Sequence, residues 1–127
     1  MASREMTPQP DGEPEPLDAR TEKFARAVRA LVRKLPRTIS NAEDVKQLVR
    51  SSGSVAANYI EANEAVSHKG FVLRIKYCRK ESKESRLWLA LVDTASTALL
   101  ESQRDTLIQE ANELKLIFAA IIRKHEN

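Results

Sequence analysis

Glycine, cysteine, histidine and aromatic residues are all scarce in this chain of 127 residues, and each scarcity narrows what the protein can be. Three glycines leave no glycine-rich phosphate loop and, beside a string of apolar residues at helical spacing, argue for an all-helical domain. A lone cysteine, Cys78, rules out an intramolecular disulfide framework. With Phe71, Ile75 and Leu89 on its helix face, it reads as a small buried hydrophobe. The two histidines, His68 and His125, belong to no metal-ligand spacing, and Ser51, Ser52 and Ser54 have no adjacent base to activate them. No apolar run is long enough to span a bilayer, and the chain does not open on a basic segment followed by an apolar one. A cytoplasmic, non-enzymatic protein without cofactor, metal or membrane partner is the expectation.

What the sequence has in quantity is charge, unevenly spread. Residues 1–18 carry one arginine (Arg4) against five acids (Glu5, Asp11, Glu13, Glu15, Asp18), net −4, and the remainder carries 20 Lys or Arg against 13 acids, net +7. Pro8, Pro10, Pro14 and Pro16 fall in the same acidic stretch. Residues 1–17 therefore read as a disordered leader and residues 18–127 as one basic domain.

Four helices are expected. The first runs from about Asp18 to Leu35, buries Phe24, Ala27, Val28, Leu31 and Leu35, and stops at Pro36. Ser40, with Glu43 three residues later, makes a capping box that starts the second, which continues to about Val66. A third begins after Ser67 and reaches Thr94–Thr97, and a fourth extends from near Arg104 to about Lys124. Short links favour an antiparallel up-down-up-down four-helix bundle. Helix 3 carries two apolar stripes: Phe71, Ile75, Cys78 and Leu89 on one, Leu73, Tyr77, Leu87 and Leu91 on the other, with Trp88 between. Helix 4 has Ile108, Leu116 and Ala119 to spare. This surplus, with the small polar face of helix 2, predicts self-association.

Two clusters carry the functional expectation. Lys76, Arg79, Lys83 and Arg86 share one side of helix 3, and Arg26, Arg29 and Arg33 supply a second stripe on helix 1. Such stripes neutralise phosphates without reading sequence. The competing reading is a solvated charged face with local pairing to Glu81 and Glu84. Tyr59, Tyr77 and Trp88 lie on apolar arcs, so base stacking has little support. On helix 2, Gln47, Arg50, Ser51, Ser54, Asn58 and Glu61 form a short-chained polar arc that suits close approach of another backbone, and mid-helix Gly53 fits the same purpose. Glu61, Glu81 and Glu84 favour ion pairing with Arg50 or Lys80 over a metal cluster.

Gln47-Leu48-Val49-Arg50-Ser51, Ser54-Val55-Ala56-Ala57-Asn58-Tyr59-Ile60-Glu61-Ala62 and Lys80-Glu81-Ser82-Lys83-Glu84-Ser85 followed by Trp88-Leu89 resemble the motifs of a bacterial family. That family was first described from proteins encoded in 23S ribosomal RNA intervening sequences, and it includes the accessory variability proteins of diversity-generating retroelements. The resemblance extends from about Arg20 to the C-terminus. It implies a four-helix protomer assembled as a ring-like homo-oligomer, a pentamer, with a positive surface for RNA or DNA. In the retroelement branch such proteins work alongside a reverse transcriptase. Gln47, Arg50, Ser54, Asn58, Glu61, Glu81, Glu84 and Trp88 are then expected to serve protomer packing or assembly. The alternative expectation is a structural or protein-protein adaptor that displays its grooves to an acidic partner.

Overall fold

The computed structural model of the chain describes residues 15–126; residues 1–14 of the acidic leader lie outside the described part. Four helices account for nearly all of it: α1 (Leu17–Val32), α2 (Ile39–Asn63), α3 (His68–Leu91) and α4 (Ala98–His125). Among the described residues there is no strand. α1 packs against α2 and α4, and α3 packs against α2 and α4, which closes a four-membered cycle around one core.

Each boundary has a local cause. α1 ends before Pro36 through a tightened turn in which Lys34 N–H donates to the Leu31 carbonyl and Leu35 N–H to that of Val32. α2 starts earlier than the Ser40 capping box predicts. Thr38 is the cap, and its hydroxyl accepts from the Asn41 amide at 3.1 Å. Ser67 caps α3 as its sequence suggests, accepting from Gly70 N–H at 3.0 Å. α4 begins at Ala98, six residues before Arg104, with Glu101 in its first turn where the helix dipole favours an acid. The link before it contains Ala95 and Ser96 in the left-handed region, at φ 55° and 56°.

The core draws on every helix: Phe24, Val28 and Leu31 from α1, Leu48 and Val55 from α2, Ile75, Cys78 and Leu89 from α3, Leu107, Leu114 and Phe118 from α4. Each fully buried Leu or Phe contributes about 2–3 kcal/mol of transfer free energy. The seam between α2 and α3 is different, because Ser51, Ser82 and Ser85 are fully buried there. Small side chains bring the two helices close, and their hydroxyls satisfy one another and nearby carbonyls: Ser51 with Ser85 at 2.9 Å and Ser82 with the Cys78 carbonyl at 2.8 Å. Partners descend along α3 as they ascend along α2, from Asn41 with Asp93 through Arg50 with Glu81 to Asn58 with Arg74, so these two helices run antiparallel. The close-approach surface read on helix 2 is thus taken up in part within the chain, where Arg50, Ser51 and Asn58 meet α3.

Candidate nucleic-acid interface

Helical spacing places Lys76, Arg79, Lys83 and Arg86 along one edge of α3. Lys83 and Arg86 are exposed, while Lys76 and Arg79 are partly buried. Lys76 reaches the carboxylate of Glu126 just beyond α4, at 2.7 Å. Among the described residues Arg79, Lys83 and Arg86 have no hydrogen-bonding or ionic partner. This edge therefore offers three uncommitted cations and one exposed pair that a phosphate can compete for.

The α1 stripe divides. Arg26 points outward and, among the described residues, pairs only with Glu22 of its own helix, at 2.8 Å, and Arg33 is exposed. Arg29 instead lies across α2, donating to the Val49 carbonyl at 3.2 Å, to Ser52 Oγ at 3.4 Å and to the Ala25 carbonyl at 3.1 Å. A Cβ at position 53 would sit 3.1 Å from the Arg29 guanidinium. Gly53 thus makes room for a side chain from α1 rather than for the neighbouring backbone that its place in the helix suggests, and Arg29 leaves the outward-facing set.

The motif residues of α2 and α3 meet one another. Arg50 bridges Glu81, at 3.3 Å, and Glu84, at 3.0 Å. Its guanidinium is held above the ordinary arginine range, first by the hydrogen bond to Glu81 and then by the charges of both carboxylates. Glu81 is buried and Glu84 only partly so. Asn58 donates to the Ser54 carbonyl at 2.9 Å and accepts from Arg74 at 3.2 Å. Gln47 and Glu61 are exposed. Trp88 is partly buried, and its indole N–H is enclosed with no acceptor among the described residues.

Sequence reasoning missed two junctions. Arg20, in the first turns of α1, forks onto Glu110 at 2.7 Å and Glu113 at 2.8 Å of α4, and the Glu110 hydrogen bond does most to raise its pKa. An i, i+3 acid pair opposite a helix start was the available signal. His68 and His125 come together although 57 residues apart: His68 Nε2 lies 2.6 Å from the His125 carbonyl, and the His125 ring meets Phe71 at a tilt, with centroids 5.0 Å apart. Among the described residues, no group of three or more His, Cys, Asp or Glu is placed to hold a metal ion. Cys78 is fully buried, and desolvation pushes its thiol up to about 12.

The comparisons agree with this architecture. The model of the 23S rRNA-intervening sequence protein family matches residues 19–120. The chain belongs to that family. Among solved structures, a protein of unknown function from the S23 ribosomal protein family of Bacteroides thetaiotaomicron superposes with a TM-score of 0.71 at 24% identity, covering 84% of this chain and 98% of that one. At that identity the likeness concerns the fold. A comparison with curated proteins found no match. All three segments that carry the motifs fall within the matched family region, and no helix among the described residues is long and apolar enough to cross a membrane.

Proposed function

We propose that this member of the 23S rRNA-intervening sequence protein family is a non-enzymatic, cytoplasmic nucleic-acid-binding oligomer that contacts phosphates through the basic edge of α3. The observation that carries the proposal is the set Arg79, Lys83 and Arg86, cationic and uncommitted on one side of one helix. Lys76 extends it, since its pair with Glu126 is exposed and weakly held, while Arg26 and Arg33 form a separate basic patch on α1, which does not pack against α3. Family membership supplies the rest of the reading: an up-down-up-down protomer, a pentameric ring that repeats each basic edge and so gains avidity, and service as an accessory to a reverse transcriptase or another acidic protein of a nucleic-acid-processing system. Tyr77, 41% exposed beside the cations, offers a stacking surface for one base rather than for a run of them, which favours duplex or structured nucleic acid over single strands.

The test is binding of purified, nuclease-treated protein to labelled duplex DNA, structured RNA and single strands across a salt series, with mass recorded in parallel. Affinity should fall steeply with salt through counterion release. Joint substitution Arg79→Glu, Lys83→Glu and Arg86→Glu should abolish binding and leave mass unchanged. An intact oligomer that binds nothing even at low salt would leave the adaptor reading in its place.

A further inference from the structure

The acids of α3 and α4 are drawn to opposite flanks of the helix pair. α3 holds two, Glu81 and Glu84, and Arg50 of α2 binds both. Between Asp105 and Glu126 the chain holds Glu110 and Glu113 as its acids, and Arg20 of α1 binds both. The outer groove between α3 and α4 lies between those flanks. It meets carboxylates at its two ends, where Lys76 pairs with Glu126 at 2.7 Å and Arg104 with Asp105 at 2.8 Å.

Lys115 of α4 belongs to that groove. It stands eleven residues before Glu126, about three helical turns, and so on the side of α4 whose end reaches Lys76. The start of α3 meets the end of α4 through His68 and His125, and a short link from Leu91 to Ala98 joins their other ends, so the two helices lie head to tail. Counting inward from the His68–His125 contact sets Lys115 level with residue 78, and counting from the Lys76–Glu126 pair sets it level with residue 87. Those two levels bracket Arg79, Lys83 and Arg86. Lys115 is partly buried, and like those three it has no hydrogen-bonding or ionic partner among the described residues. Asn112, about one turn earlier, adds a neutral amide with no partner of its own there.

We propose that this groove seats one phosphate backbone of a nucleic acid, with Arg79, Lys83 and Arg86 on its α3 wall, Lys115 on its α4 wall and Asn112 as a neutral donor between them. The assignment rests on phosphate binding by the edge of α3, and adds where the strand lies and a binding residue from a second helix. Four cations without a counter-charge repel one another across partly desolvated ground, and a line of phosphates relieves all four together. Arg79 and Arg86 are about 10 Å apart along the helix axis, with Lys83 between, so a strand laid in the groove meets a cation at each turn. Such a regular series suits a polyanion of regular charge better than a protein surface of mixed sign. Arg20 and Arg50 act as positioning residues, holding four carboxylates away from the strand without touching it.

The test reads how binding of labelled duplex DNA and structured RNA to the full chain depends on salt. Loss of one phosphate-bound cation lowers the slope of log K against log salt by about one. Lys115→Gln is expected to lower it by that amount, as Arg79→Gln does, and to weaken binding about tenfold at roughly 0.1 M salt. Lys115→Arg should keep the original slope, and so should Lys46→Gln, whose lysine pairs with Glu43 on α2. Asn112→Asp hands the four cations a carboxylate of their own and should weaken binding at least as much, with helix content and mass unchanged. An unaltered slope in Lys115→Gln, beside a lowered one in Arg79→Gln, overturns the groove and leaves phosphate binding by the outer edge of α3 standing. No binding by the unsubstituted chain overturns both, and retention of polyglutamate in place of nucleic acid would give the groove to an acidic protein instead.

Discussion

Ser51 of α2 and Ser85 of α3 share a 2.9 Å hydrogen bond at a point where both side chains are fully buried. Removing one hydroxyl leaves the other with a nearby carbonyl, since Ser51 also reaches that of Leu48 at 3.3 Å and Ser85 that of Glu81 at 2.9 Å. Ser85→Ala is therefore expected to cost about 1 kcal/mol. Ser51→Leu should cost more, about 1–3 kcal/mol, because the added volume forces α2 and α3 apart. Urea denaturation of the two variants gives the comparison, and a larger loss in Ser85→Ala would show that hydrogen bonding rather than spacing dominates the seam.

Glu81 depends on Arg50 more than Glu84 does. The Glu81 residue is 8% exposed, whereas the Glu84 side chain is 35% exposed. Arg50→Met strands a buried carboxylate, with an expected loss of about 1–3 kcal/mol, moderated because the guanidinium itself is half in solvent. Glu84→Gln should cost less than about 1 kcal/mol. Arg50→Met combined with Glu81→Met should recover much of the loss, a non-additivity that equilibrium unfolding of the four proteins reads directly.

The Cys78 thiol titrates near 12 in the folded chain because burial disfavours the thiolate. An unfolded chain gives up that proton from about pH 8.5 upward. Below that pH both states are protonated and the group is silent. Between the two values the unfolded state binds fewer protons, so stability falls as pH rises, by about 1.4 kcal/mol per pH unit from this residue. The difference in unfolding free energy between the wild-type chain and Cys78→Ala should accordingly shrink from pH 9 to pH 11. The folded protein should also resist alkylation at pH 8 until denaturant is added.

Gly53 and Arg29 are coupled across α1 and α2. Gly53→Ala gains about 1 kcal/mol of helix propensity, but its Cβ would crowd the guanidinium at 3.1 Å. The gain should be smaller in the wild-type chain than in an Arg29→Ala background. Thermal melts of the double-mutant cycle measure the gap, and equal gains in both backgrounds would remove the contact as the reason for the glycine.

The fold was legible where periodicity alone decides. Phe24, Val28 and Leu31, or Leu107, Leu114 and Phe118, recur at helical spacing and are buried as that spacing requires. Helix ends were less legible because several residues compete for each cap. Thr38 and Ser40 both suit an N-cap, and Thr38 is the one used, with the Asn41 side chain drawn toward Pro36 and Asp93. The Thr94–Thr97 stretch reads as continuing one helix or delaying the next, and it forms instead a link with two left-handed residues. On α2, Ser51 lies on an arc that looks polar on a wheel, but a serine carries too little surface to resist burial once Ser85 answers it. The cations of α3 were legible as a stripe. That Arg29 turns inward was not, because two of its acceptors are backbone carbonyls, Val49 on α2 and Ala25 on α1, invisible to a pattern of side chains.

Asn41 ties together segments far apart in sequence. Its amide nitrogen donates to the carbonyls of Pro36 and Asp93, each at 2.9 Å, and its oxygen accepts from Asp93 N–H at 2.8 Å. One buried side chain thus latches the α1–α2 link to the end of α3. Neither can fray without releasing the other, so amide hydrogens at this end of the bundle should exchange as one cooperative unit, while the opposite end, where a histidine meets a backbone carbonyl at the surface, is free to breathe on its own.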